Sequence, residues 1–177
     1  MNIIGNKVFL RALESRDNAM LLELVNDPDT ERMLGGFAFP VSFENQEKWL
    51  SSQENSRNIL RCAVVPCDNG VDAVGTVILS DIDYRNGTAQ VHIKMSREHG
   101  RGKGYGTDAI RAIVGYAFKE LRLNCIYADV LEYNEPSRRL FKKCGFKQDG
   151  VLRHRVYKNG EYRNIVSFSM LKNEYDA

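Results

Sequence analysis

The sequence is poor in the features that mark special classes of protein. Of 177 residues only four are proline, one is tryptophan and three are histidine. No apolar run approaches the ~20 residues a membrane-spanning helix needs, and residues 1–13 carry no apolar core of the kind that directs secretion. A cytoplasmic protein with no membrane partner is expected. No polar, charged or low-complexity tract interrupts the chain, which excludes a disordered or fibrous protein. Nor does any linker divide it, so residues 1–177 read as one domain. The four cysteines, Cys62, Cys67, Cys125 and Cys144, form no CxxC pair and have no histidine at zinc-finger spacing, so no metal is expected. Each sits among apolar neighbours and reads as a reduced, small hydrophobe.

What the sequence does have is an uneven charge distribution. Residues 1–96 hold 9 basic and 13 acidic side chains, residues 97–172 hold 16 and 8, and the net charge is only +2. A basic second half suits a polyanionic ligand and an acidic first half a cationic one, although chance surface charge accounts for the split equally well.

Periodicity predicts a strand at residues 8–10 and a helix from near Arg16 with Met20, Leu21, Leu24 and Val25 on one face. A second helix follows Pro40, with Ser42 as N-cap and Phe43, Gln46, Trp49 and Leu50 at helical spacing. The β-branched runs 59–65 and 74–79 flank Asp68-Asn69-Gly70, a hairpin signal. Residues 88–95 alternate as a strand, and a long amphipathic helix carries Ile110, Ile113, Val114, Ala117, Phe118 and Leu121. Then come a strand at 125–130, a short helix with Asn134 as N-cap and Gly145 as C-cap, and strands 151–157 and 162–171 around an Asn159-Gly160 turn. The fold class is mixed α/β, with hairpins early and helical connections late.

Between the strand at 88–95 and the long helix lies His99-Gly100-Arg101-Gly102-Lys103-Gly104-Tyr105-Gly106-Thr107. Alternate glycines leave backbone N–H groups free to converge on an anion, the helix that follows adds the positive end of its dipole, and Arg101 and Lys103 add charge. A phosphate or pyrophosphate is the natural ligand; the bland alternative is a flexible turn. The nucleotide-triphosphate loop is excluded, because Lys103 is followed by Gly104 rather than Ser or Thr. A dinucleotide fingerprint threads loosely from Gly104 to Ala109, with Asp129 placed to accept a ribose hydroxyl. It starts too far beyond Met95, and too few strand-helix units follow to complete its sheet.

Arg101-x-x-Gly104-x-Gly106 resembles the pyrophosphate-binding signature of the GNAT N-acetyltransferases, and Asn134-Glu135-Pro136-Ser137 running to Gly145-Phe146 resembles their second signature. Arg11-Ala12-Leu13 with Asp17, and residues 157–164, resemble the branch that contains ribosomal-protein-alanine and spermidine acetyltransferases. The resemblance spans nearly the whole chain. It implies a GNAT fold: a central, mostly antiparallel sheet of six to seven strands flanked by about four helices. It also implies an acetyl-coenzyme A-dependent N-acetyltransferase that needs no metal, because the thioester is already activated. Residues 101–107, Arg101, Gly102, Lys103, Gly104, Tyr105, Gly106 and Thr107, would take the pyrophosphate, chiefly through backbone N–H groups. Ile93, Lys94 and Met95 would pair their backbone with pantetheine, with Asn134 and Ser137 beside it.

Direct attack requires a neutral amine, a donor for the oxyanion and a proton for the thiolate. Many relatives supply that proton from a tyrosine where this chain has Phe141, so Ser137, one helical turn earlier, is the expected replacement. His92 is the expected base, since it alone on its strand titrates near neutrality; a lone strand histidine is otherwise a packing or surface residue. Deprotonating an α-amino group at pH 7 costs ~1 kcal/mol, against ~4.6 kcal/mol for a polyamine nitrogen. That favours a peptide N-terminus or another low-pKa amine, while the acidic first half favours a polycation such as a polyamine. The basic helix face of Arg138, Arg139, Lys142 and Lys143 has no interleaved aromatics, so no nucleic acid partner is expected. A homo-oligomer is compatible with the sequence. The rivals are a dinucleotide-binding oxidoreductase and a non-catalytic acyl-coenzyme A sensor.

Overall fold

A computed structural model of the chain describes residues 1–36, 39–53, 56–68, 70 and 72–175. Asn69, at the centre of the expected hairpin turn, lies outside them. The strands are β1 (Ile3–Ile4), β2 (Val8–Ala12), β3 (Leu60–Pro66), β4 (Gly75–Asp83), β5 (Thr88–Met95), β6 (Cys125–Leu131), β7 (Lys147–Lys158) and β8 (Glu161–Leu171). The helices are α1 (Asn18–Asn26), α2 (Pro28–Arg32), α3 (Phe43–Ser51), α4 (Tyr105–Lys119), α5 (Glu135–Lys143) and α6 (Lys172–Tyr175), and a 3-10 turn at Ser15–Asp17 precedes α1. One sheet runs β1-β2-β3-β4-β5-β6-β8-β7, and every neighbouring pair is antiparallel except β5 and β6.

The described residues thus form eight strands and six helices, where the resemblance implies six or seven and about four. The additions are two to five residues long, too short for a period to be read. In α2 the local cap is decisive: the Asp27 carboxylate accepts from the N–H groups of Asp29 and Thr30, and Pro28 opens the helix. The expected caps elsewhere are present. Ser42 accepts from Asn45 N and Asn134 from Ser137 N, and Gly145, just past Cys144, has the left-handed φ of 97° that ends a helix. Asn159 and Gly160 both have positive φ, as a two-residue hairpin turn demands.

Strand alternation sorts the sheet into two faces. On one, Val77, Leu79, Val91, Ile126, Ala128, Val166 and Phe168 meet Ile110, Ile113, Val114 and Phe118 of α4, and Phe141 of α5, in the main core. Phe141 stacks on Phe168 at 6.3 Å and meets Phe146 edge-on at 5.2 Å. On the other face, α1 and α3 cover only part of the sheet, leaving Gln90, His92, Tyr127 and Asp129 half-buried or exposed. Helix α3 does not bury its expected apolar stripe: Phe43 and Trp49 remain 51% and 40% exposed while Gln46 is buried. Cys67 is likewise exposed, since it follows β3 into a turn, whereas Cys62 is buried and Cys125 and Cys144 are half-buried.

Candidate active site

The site begins where two strands part. Strands β5 and β6 pair only through Thr88, Ala89 and Gln90 with Cys125, Ile126 and Tyr127. Residues 91–95 and 128–131 run on without pairing to each other, so the sheet opens into a wedge with unpaired backbone along β5. A bound chain can take up those backbone groups as a further strand would. Side chains of Ile93 and Met95 point to the α4 face, because a β-carbon at Gly106 would lie 3.6 Å from Ile93 Cδ1, 3.7 Å from Met95 Cγ and 3.9 Å from Leu140 Cδ2. Lys94 and His92 point the other way.

At the mouth of the wedge the glycine loop turns into α4. Gly102 and Gly104 have φ of 79° and 85°, and Gly104 is the N-cap of α4 with no side-chain cap. Among the described residues, the N–H groups of residues 101–107 donate to no backbone acceptor; the first that does is Asp108, to Gly104 O at 3.1 Å. Those free donors at a helix start form an anion cradle. Lys7, which sequence reasoning did not single out, bonds Lys103 O at 3.1 Å and adds a cation there. It is held by Asp108, whose Oδ2 accepts from Lys7 N and Val8 N at 2.7 and 3.0 Å. The loop's own side chains turn elsewhere. Arg101 reaches Thr30 Oγ1 at 3.3 Å, Tyr105 is buried with its hydroxyl on Asp68, and Lys103 lies over the Tyr105 ring. The cradle is therefore mainly backbone. Gly104→Val would force a branched residue into the left-handed region beside those donors, a strain of ~1–3 kcal/mol. Calorimetry with acetyl-coenzyme A is expected to give at least a tenfold weaker affinity; an unchanged Kd would remove the cradle from the binding site.

Beyond β6, on the far side of the wedge, α5 opens with Asn134 and Ser137. Both polar atoms of Asn134 are engaged, Oδ1 with Ser137 N at 3.1 Å and Nδ2 with Met33 O at 2.8 Å, so it fixes the start of α5 against the segment after α2. The Ser137 hydroxyl is half-buried and has no hydrogen-bond partner among the described residues. Helix α5 lies on the α4 side of the sheet, as the Cys144 Sγ to Thr107 O contact of 3.7 Å and the packing of Phe141 attest.

His92 stands on the opposite face, with Nε2 at 2.8 Å from Ser80 Oγ. Burial pushes its pKa below the usual 6.5, Asp81 and Asp129 pull it up, and Lys94 pushes it further down. The net direction is downward, which favours the neutral imidazole. Asp81 owes its place to a bulge of one extra residue in β4, where it takes a φ of 50°. Asp129 reaches Gln90 at 3.4 Å. Sequence reasoning missed Asp81 altogether and weighed Asp129 only as a ribose ligand.

A wedge of unpaired strand edge with a backbone anion cradle at its mouth suits a long ligand that ends in a pyrophosphate. Residues 7–147 match the family model described as Acetyltransferase (GNAT) domain. The chain belongs to the GNAT acetyltransferase family. As a member it is an N-acetyltransferase with acetyl-coenzyme A as its acyl donor. It is 30% identical to the putative ribosomal N-acetyltransferase YdaF of Bacillus subtilis, covering 98% of this chain and 96% of the relative. It is 29% identical to spermidine N(1)-acetyltransferase of Escherichia coli K12, covering 98% and 90%. Its fold superposes with a TM-score of 0.87 on spermidine N-acetyltransferase from Vibrio cholerae in complex with coenzyme A and spermine, at 26% identity and 97% and 99% coverage. The dinucleotide-binding alternative falls with this assignment. The glycine loop of this GNAT enzyme leads out of a largely antiparallel sheet, without the parallel strands a dinucleotide fold needs.

Proposed function

We propose that this enzyme acetylates the primary amine of a small molecule or peptide N-terminus, delivered from the His92 face, with its donor threaded through the wedge. In this reading the N–H groups of residues 101–107 take the pyrophosphate, the backbone of Ile93, Lys94 and Met95 pairs with pantetheine, and Asn134 and Ser137 flank it. His92 accepts a proton from the amine as the N–C bond forms. Ser137, across the sheet, protonates the sulfur as the C–S bond breaks. The observation that supports this is His92 on the unpaired stretch of β5, with its pKa lowered, together with an unengaged Ser137 hydroxyl on α5. The chain functions as one catalytic domain, and a cytoplasmic setting fits its four unpaired cysteines.

Two acceptor classes have support. A polyamine is favoured by the relatives that are named spermidine acetyltransferases and by Asp81 and Asp129 beside His92. An α-amine is favoured by its lower cost of deprotonation, ~1 against ~4.6 kcal/mol, and by the cation, Lys94, that lies next to the base. We favour the α-amine. A coupled thiol-release assay over spermidine, spermine, amino acids and short peptides decides between them. We expect the highest kcat/KM on an α-amine, and efficient turnover of spermidine alone would overturn that choice.

A further inference from the structure

The His92 face of the sheet holds a cavity of about 430 Å3 beneath α1 and α3, walled by Leu13, Leu21, Leu24, Val25, Trp49 and Ile78. That is within the range of small-molecule sites, roughly 300–1,000 Å3. Three polar side chains line it as well: Gln46, Thr76 and Lys94. Gln46 and Thr76 are each only 5% exposed, and none of the three makes a side-chain hydrogen bond or ion pair among the described residues. Their polar atoms are not sealed in protein but open to the cavity, where only water or a ligand can partner them and an apolar wall makes hydration costly. Lys94 shows the cost directly, since burial lowers its pKa with no carboxylate to offset it. The polar groups and the base are neighbours in the sheet. Across β4 and β5, Thr76 pairs with Lys94 and Ile78 with His92, and two residues along a strand span only ~7 Å.

Resting on the reading of His92 as the base, we propose that this cavity selects the acceptor. It takes the apolar side chain of an α-amino acid unit, whose carboxylate or carbonyl oxygen bonds Lys94 and Thr76 while its amino group faces His92. The unit carries both functional groups on one carbon, which matches a cation and a base two residues apart on one strand. Gln46 tops the pocket and limits side-chain length. A polyamine fits poorly here, because among the described residues no carboxylate lines the cavity and Lys94 repels it. The same chemistry is offered by a free amino acid and by the first residue of a peptide.

Trp49 is the only tryptophan of the chain and stands in the cavity wall, so its fluorescence reports occupancy. The experiment titrates leucine, leucinamide, a leucyl-peptide, glycine and spermidine into the wild type, with and without saturating coenzyme A. Leucine or the leucyl-peptide is expected to give a saturable response, with glycine and spermidine weaker by about tenfold or more, as loss of a buried apolar side chain implies. Lys94→Met should weaken leucine by about tenfold and leucinamide much less, since only the former loses an ion pair. Val25→Phe, which fills the cavity, should abolish the response while the thermal shift with acetyl-coenzyme A persists. Leucine above its peptide identifies a free amino acid as acceptor, and the reverse a peptide N-terminus. Equal responses to glycine and leucine, a dominant response to spermidine, or no response in either condition overturns the proposal. Binding is read without turnover, so leucine that binds but is not acetylated would sink the His92 mechanism and leave the pocket standing.

Discussion

Asp17→Ala is expected to lower stability by about 3–5 kcal/mol, the cost of stranding one member of a buried ion pair. Arg11 and Asp17 are 6% and 3% exposed. Their contact is bidentate, Nη1 to Oδ2 at 2.7 Å and Nη2 to Oδ1 at 2.8 Å, and it raises the Arg11 pKa above its ordinary value. Asp17 Oδ2 also accepts from Glu14 N at 2.8 Å, so the alanine variant strips the buried guanidinium of its counter-charge, leaving it only the Ala12 carbonyl at 3.0 Å, and frees a backbone N–H as well. For a chain of this length the melting temperature should fall by roughly 6–20 °C. The pair joins the end of β2 to the 3-10 turn that launches α1, whose Leu21, Leu24 and Val25 roof the cavity on the His92 face. If that cavity receives the acceptor, as proposed, its KM should rise even at temperatures where the variant is folded, while the affinity for acetyl-coenzyme A, proposed to rest on the distant glycine loop, stays close to wild type. Replacing both partners by apolar residues, Arg11→Met with Asp17→Leu, should recover most of the loss, because no charge is then stranded. A melting temperature within 2 °C of wild type for Asp17→Ala would show the pair to be dispensable.

The parts of this enzyme legible from sequence are those whose cause is local. Alternation located β5 to the residue, the Asn159-Gly160 pair announced its turn, and Ser42 and Asn134 cap the helices they precede. The turn of the glycine loop into α4 was legible for the same reason: alternate glycines just before an amphipathic stripe mark where the helix starts. What escaped depends on chain neighbours far apart in sequence. Lys7 meets the loop across 96 residues, and Asn134 meets Met33 across 101. The parting of β5 from β6 is a property of pairing and leaves no trace in either strand, one of which reads as an ordinary alternating segment and the other as an ordinary apolar one. Asp81 is displaced by a bulge whose left-handed residue is an aspartate, with no glycine to flag it. The cavity was illegible for a further reason. Trp49 and Gln46 occupy one helical stripe and suggest core, yet the space beneath them is left open.

His92→Gln is expected to reduce kcat/KM by ~10²–10⁴, the usual contribution of a general base, with the Kd for acetyl-coenzyme A unchanged. Glutamine keeps a side-chain contact with Ser80 within reach but cannot take a proton. The pH profile separates this from a structural effect. In the wild type, His92 must be neutral to act, and its pKa lies below 6.5 because burial outweighs the nearby carboxylates. The acid limb of kcat/KM should then fall below pH 6.5, and in His92→Gln it should vanish, leaving only the rise that follows deprotonation of the acceptor amine. The charges around the ring set the direction of further shifts. Asp81 from β4 and Asp129 from β6 stabilise the imidazolium, so Asp81→Asn or Asp129→Asn should move the limb to lower pH. Lys94 from β5 opposes them, so Lys94→Met should move it up. Ser137→Ala acts on the other face and should lose about 10² in kcat while keeping the His92 limb. An acid limb that survives His92→Gln, or one that fails to move when both aspartates are replaced, would assign the proton to another group.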